Sequence, residues 1–419
     1  MDSHDTLITQ PRACLRAGLA ALLLALPAFP SSAGSLGEAV TGALTLAQQQ
    51  PRATALRNES AAIRSQANSL TAEDPAVRFK GLSDRPIDDT GAYELEAMLD
   101  MPLWLPGQRG ARQALADAVA GQADGLARLL RWRMAGRVRE AVWEAALAHG
   151  RLRQAAAALT AARSLEASVS KRAAAGELAR MELVTAQQET SAREVDLAAA
   201  QVDYDQAIAA YVQLTGQPRL PEPLNEPATA PDLPEPVTLP PDHPLLAGAD
   251  GAVARARAER DRVAADRRGH PLLSLGAKRA RGDRTQDAID ALQLEVSIPF
   301  GLKRQNAPAL AGAERELTDQ LAELQQMRLQ AEQDLNGAVL ARRGAEQALA
   351  VAERRAELAQ QALTITRRAF DLGEADLSTL LRAEERAREA SLGLALRRLD
   401  KGRALARLNQ ALGIVPGAE

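Results

Sequence analysis

The sequence predicts a mainly α protein with a membrane β part, built as two copies of one helix–strand–strand–long helix–helix unit. Three observations predict it: a repeat at a fixed offset, paired strands of bilayer-crossing length, and two long proline-free tracts with a heptad seam. The repeat comes first. Tyr93-Glu-Leu-Glu-Ala-Met-Leu-Asp-Met-Pro-Leu-Trp104 returns 197 residues later as Asp290-Ala-Leu-Gln-Leu-Glu-Val-Ser-Ile-Pro-Phe-Gly301, with Pro102 on Pro299. At the same offset Gly176-Glu177 matches Gly373-Glu374, and Gln213-Leu-Thr-Gly216 matches Gln410-Ala-Leu-Gly413. One register shared by strands, turns and helix ends is a duplication.

Both copies of the strand alternate. Leu95, Leu99, Met101 and Leu103 share one parity, and Glu94, Glu96 and Asp100 the other; in the second copy Leu292, Leu294, Val296 and Ile298 stand against Gln293, Glu295 and Ser297. Such alternation gives a strand one apolar and one wet face. Each run is about 10–11 residues, the length of a tilted strand crossing a bilayer. Leu95, Leu99, Leu292, Leu294, Val296 and Ile298 are therefore expected to face lipid, and Glu94, Glu96, Gln293 and Glu295 to line water. Tyr93 and Trp104 bracket the first copy at about the spacing of two aromatic girdles, though with opposite parity. A shorter strand precedes each copy: Val77 and Phe79 alternate with Arg78 and Lys80, and Pro271-Leu-Leu-Ser-Leu-Gly-Ala-Lys278 reads likewise.

The helices follow. Residues from about Ser35 to Leu70 are amphipathic and interrupted only by Pro51; about Leu245–Arg268 is the second copy. No proline occurs from Gln108 to Gln217, or after Pro308 as far as Val415. In the second tract, positions from 317 to 363 at 3-4 spacing are Leu or Ala except Arg328 and Arg342, a coiled-coil seam. Its counterpart runs from Ala120 to Ala162, broken by Asp124 and Arg131. A helix of about 65 residues reaches roughly 100 Å. The pattern slips at Gly176 and Gly373, where each long helix must reverse; there, backbone groups are expected to be free of the helix ladder.

The chain therefore divides into residues 1–33, a first repeat 34–217 (strands about 75–82 and 92–104, helical hairpin about 107–216), a linker 218–244 with ten prolines, and a second repeat 245–415 (strands about 271–280 and 288–301, hairpin about 304–413). Residues 1–33 read as an export signal: Arg12 and Arg16 precede the apolar run Leu19–Leu26, and Ser31-Ser-Ala33 is a small-residue cleavage site. Cys14, the sole cysteine, would leave with it, and a chain without thiols has no disulfide or thiolate metal site.

Composition excludes several classes. A net charge of −3 implies no polyionic partner, and 2% aromatics is unlike a base-stacking nucleic-acid binder. There is no catalytic constellation, phosphate loop or cofactor motif. His149, His243 and His270 are far apart in sequence, without a metal ligand at suitable spacing, and read as surface or linker residues.

Export signal, duplication, strand pairs and long hairpins together resemble the TolC family of outer-membrane efflux proteins, the outer-membrane factors. Arg172-x-x-x-Gly176-Glu, Arg368-x-x-x-x-Gly373-Glu and the glycine-ended hairpins carry the likeness. Leu103-Trp-Leu-Pro-Gly-Gln-Arg-Gly-Ala-Arg112 and Ser297-Ile-Pro-Phe-Gly-Leu-Lys-Arg-Gln-Asn306 are most similar to its CzcC-like heavy-metal efflux branch. Four strands leave two unpaired edges, which hydrocarbon does not tolerate, so such a chain must oligomerise to insert. The resemblance implies a homotrimer with a 12-stranded β-barrel in the outer membrane of a Gram-negative bacterium, contacting its lipid, continued by an α-helical tunnel through the periplasm. It implies a passive duct with two partners, a periplasmic adaptor (membrane fusion protein) and an inner-membrane transporter of the RND type. Gly176, Glu177, Gly373 and Glu374 fall on the adaptor-contact turns. Where some relatives narrow the pore with aspartates, this chain aligns Thr379 and Arg382, so an acidic gate does not carry over, although Asp376 and Glu384 are near. The outlet of a drug efflux or type I protein-secretion system shares this fold. A periplasmic coiled-coil scaffold is the alternative of another class, and strands of spanning length argue against it.

Overall fold

The computed structural model describes residues 34–47, 50–224, 226–227, 237–301 and 303–417. The segment 1–33, expected to be an export signal, and residues 225 and 228–236 of the proline-rich linker lie outside the described residues. Alanine, leucine, arginine and glutamate without proline favour helix throughout the two long tracts, and helices duly form there. The elements are α1 (Leu36–Leu46), α2 (Gln50–Asn68), β1 (Ala76–Ser83), β2 (Tyr93–Pro102), α3 (Gln108–Ala174), α4 (Arg180–Thr215), α5 (Pro244–Ala265), β3 (Leu272–Arg281), β4 (Ile289–Ser297), α6 (Lys303–Asp371) and α7 (Leu377–Ala411). A 3₁₀ turn, Asp266–Arg268, joins α5 to the approach of β3.

Each half thus carries the expected order, and the first half opens with two helices rather than one. Ser35 starts α1 with a capping box: its hydroxyl accepts from the Glu38 N–H, and the Glu38 carboxylate accepts from the Ser35 N–H at 3.0 Å. The strands form one antiparallel sheet in the order β1-β2-β3-β4. β2 pairs with β3 from Tyr93 against Arg281 to Pro102 against Leu272, so the sheet stitches the two halves together.

The long helices, 67 and 69 residues, run about 100 Å from the sheet to the reversals. Packing along them is segmented. Val40 and Ala43 of α1 dock on Met134, Val138 and Val142 of α3 and on Tyr211 of α4, all buried. At the far end Val169, Ala186, Phe370, Leu377 and Leu380 join both hairpins in one cluster. Each fully buried Val, Leu or Phe there contributes about 1.5–3 kcal/mol by leaving water. The α6 seam is the least exposed stripe of its helix from Ala331 onward, whereas Leu321 and Arg328, nearer the sheet, are exposed. Among the described residues, no helix is long and apolar enough to cross a membrane.

Candidate functional site

Two regions stand out, the sheet at one end and the paired reversals at the other. The sheet has its faces inverted relative to a soluble protein. Leu95 (55% exposed), Leu292 (93%) and Leu294 (67%) are bare, as are Leu99, Val296 and Ile298. On the opposite face Glu96 and Asp100 are buried, and Ser274 is almost wholly so. A flat four-stranded sheet would expose both faces equally; this one is concave on its charged side.

That side is an ion-pair lattice. Lys80 of β1 and Lys278 of β3 both reach Glu94 (3.1 and 2.8 Å) and Glu96 (3.6 and 3.3 Å) on the strand between them. Arg78 grips Asp100 through two N–H groups at 3.1 Å, and the Ser274 hydroxyl donates to the same carboxylate. Glu295 meets Arg78 at 3.8 Å, and the Gln293 carbonyl oxygen is buried without a partner among the described residues. The alternation had marked Glu94, Glu96, Gln293 and Glu295. It missed Arg78, Lys80, Lys278 and Ser274 as members of one lattice, because β1 and β3 bring them there only once strand order and register are fixed.

At the far end Gly176 (φ 80°) and Gly373 (φ 79°) adopt the left-handed conformation. The Glu177 N–H bonds the Arg172 carbonyl (2.9 Å) and the Gly176 N–H the Ala173 carbonyl (3.1 Å); Glu374 and Gly373 repeat this with Ala369 (2.8 Å) and Phe370 (3.1 Å). Both ends are Schellman motifs. The expectation of free backbone groups is corrected here: these turn amides are consumed by the helix end. What the glycines leave open is space, since a Cβ at either position would meet nothing within 4 Å. Gly176, Glu177, Gly373 and Glu374 are all exposed. Arg172 bonds Glu177 (3.3 Å) and lies 4.8 Å from the Phe370 ring, tying one turn to the other.

Thr379 and Arg382 lie in the opening turns of α7. The Thr379 N–H donates to the Asp376 carboxylate (2.8 Å), and Arg382 donates to the Thr379 hydroxyl (3.1 Å). Hydrogen bonding from Thr379 holds Asp376 below the ordinary carboxylate range. Higher up, Arg388 of α7 meets Glu189 of α4 (3.4 Å), and Arg193 of α4 meets Glu385 of α7 (3.7 Å), so the return helices are cross-linked by charge.

Three aromatic or histidine expectations change. Trp104 is no girdle residue: its indole N–H donates to the Ser69 carbonyl at 3.1 Å, and Arg112 stacks on it at 4.9 Å. His243 is buried and caps α5, its Nδ1 accepting from the Leu245 N–H, and burial pushes its imidazole below the ordinary value. His270 is half-buried against Gln108 (3.0 Å) at the strand–helix junction. Among the described histidines only His149 is a surface residue, set beside Tyr204. No group of three His, Cys, Asp or Glu that could hold a metal occurs among the described residues.

The fold so described is that of outer-membrane channel proteins. The structure of CusC, described in terms of folding and transmembrane channel formation, superposes with a TM-score of 0.68 at 18% identity, over 91% of this chain and 92% of that one. The outer membrane protein VceC of Vibrio cholerae gives 0.68 at 18% identity, over 90% of this chain and 96% of its own. The Campylobacter jejuni CmeC outer membrane channel gives 0.65 at 13% identity, over 94% and 92%. No protein-family model and no curated protein sequence matches the chain.

Proposed function

We propose that the chain is the outer-membrane channel subunit of a tripartite efflux pump, a passive exit duct from periplasm to exterior. The observation that carries this is the inverted sheet: an apolar face left bare, a charged face enclosed, and two strand edges unpaired, at the end of helices about 100 Å long. Hydrocarbon accepts the bare face and forbids the edges. Three copies close them as a 12-stranded barrel whose concave lattice lines water. The reversals then lie in the periplasm, where Gly176, Glu177, Gly373 and Glu374 meet an adaptor and Thr379 and Arg382 border the narrowest passage. The likeness to solved outer-membrane channels supports this reading. Its test is fractionation: the protein should sediment with outer membranes and cross-link as a trimer. A monodisperse detergent-free monomer would overturn it.

The cargo reading is narrower. The segments 103–112 and 297–306, which resemble the CzcC-like branch, support a heavy-metal cation delivered by an RND-type transporter. A deletion strain should become sensitive to metals; sensitivity to drugs alone would replace metal with drug.

A further inference from the structure

The strands end, on their helix side, in an apolar edge set directly on unpaired cations. Phe300 (90% exposed) and Ile298 (59%) follow β4 and continue the bare face of Val296 and Leu294. Arg267 and Arg268, both exposed, stand in the 3₁₀ turn before β3. The two segments touch. Gly301 lies against the Arg267 carbonyl, where any side chain would collide, and the Asn306 amide donates to that same carbonyl. Arg304, also exposed, is two residues before Asn306 in the first turn of α6. Among the described residues none of these three guanidinium groups has an ion-pair or hydrogen-bond partner. A cation in a helix's first turn also opposes the helix dipole, so Arg304 does nothing for the helix that carries it.

The duplication supplies an internal control. At the positions 197 residues earlier, Arg267, Arg268 and Arg304 are replaced by Leu70, Thr71 and Gly107. Both halves make the same strand-to-helix corner, but the cations of the first, Arg109 and Arg112, are engaged, Arg109 donating to the Ala67 carbonyl at 2.8 Å and Arg112 pairing with Asp266 at 3.4 Å. Only the second carries cations without a partner among the described residues. A shared structural need of the corner does not account for them.

We propose that Arg267, Arg268 and Arg304 dock the phosphate headgroup of an anionic phospholipid, in the leaflet nearest the helices, with Phe300 and Ile298 reaching into its acyl region. This rests on the reading that the sheet spans a membrane. Guanidinium groups match phosphate oxygens bidentately, Phe and Leu side chains flanked by cations bury at the headgroup–acyl boundary, and the apolar face runs without a break down to the cations. The site would occur once per chain and fix the depth at which the sheet sits.

The test uses the full-length trimer and vesicles of phosphatidylcholine alone or with phosphatidylglycerol, scored by co-flotation across a lipid titration. Wild type should associate with both and prefer anionic vesicles by at least about tenfold at low salt, given roughly fivefold per surface cation. The R267Q/R268Q/R304Q variant should keep its association with neutral vesicles and lose that preference, whereas R354Q, on the exposed face of α6, should retain it. Inorganic phosphate at the headgroup concentration should not compete. A triple variant that still prefers anionic vesicles, competition by free phosphate, or loss of the trimer in neutral vesicles would each overturn the lipid site. Wild type that associates with neither vesicle would overturn the membrane-spanning reading, and this site with it.

Discussion

Arg78 on β1 reaches Glu295 on β4 across the concave face, Nη2 to carboxylate at 3.8 Å, although two strands stand between them. Neighbouring strands are about 4.8 Å apart, so a flat sheet would hold these backbones roughly 14 Å from each other. Long side chains and inward curvature close that gap. The pair marks which face is inside.

The adjacent residues Glu295 and Val296 therefore test the face assignment. Val296→Arg puts a charge on the bare face, where a mid-bilayer cation costs about 2–4 kcal/mol. It should sharply reduce trimer in the outer membrane. Glu295→Arg should leave trimer abundance near wild type and shift single-channel conductance or ion selectivity. Equal assembly defects would reject the assignment.

Gly276 tests the sheet itself. A Cβ there would collide with the Ala97 carbonyl and come within 2.9 Å of the Met98 Cα. Gly276→Val should destabilise the β2–β3 pairing by about 1–3 kcal/mol, the range for overpacking. Heat-modifiability of the trimer on gels should then appear at lower temperature, while Gly312→Val, at a position with open space, should change it much less.

The reversals separate folding from docking. Any L residue at Gly176 or Gly373 is strained by about 1–2 kcal/mol in the left-handed region, yet space is open around both. Gly176→Trp with Gly373→Trp should leave the trimer intact, because the sheet is about 100 Å away, and should reduce export and adaptor cross-linking several-fold. The corresponding alanine pair should carry the strain alone and keep most export. If alanine and tryptophan behave alike, the glycines act only as helix ends.

Arg139 clamps the linker. It is 4% exposed and holds Glu226 through two hydrogen bonds at 2.8 and 2.6 Å, besides donating to the Ile414 carbonyl at 3.0 Å. Glu226→Ala strands a buried cation and should cost about 3–5 kcal/mol in unfolding measurements. Arg139→Met combined with Glu226→Leu should cost clearly less, since no charge then stays buried.

His243 gives a pH dependence. Burial lowers its folded pKa below the unfolded value near 6.5, so as pH falls the unfolded chain takes up the proton first. The stability from keeping the ring neutral is fully present above about pH 6.5 and is lost as pH falls through the lowered folded value. His243→Asn retains a cap acceptor for the Leu245 N–H but cannot protonate. Thermal melting of the variant should vary less between about pH 7.5 and 5 than that of wild type; an unchanged slope would acquit this histidine.

Much of this protein was readable along the chain. Period-two alternation assigns Leu95 and Glu94 to opposite faces, the heptad finds the α6 seam, and the shared offset pairs Gly176 with Gly373, because each is a local pattern that the backbone geometry imposes. Only the tertiary structure decided what lies across from what. Lys80 and Lys278 share Glu94 and Glu96 because β2 sits between β1 and β3. Arg172 reaches Phe370 because two hairpins, distant in sequence, end side by side. The surroundings of His243 and Trp104 escape the linear pattern for the same reason: they come from elements far along the chain, such as Trp132 packed edge-on against His243. Periodicity tells a residue which way it faces; register and packing alone tell it what it meets.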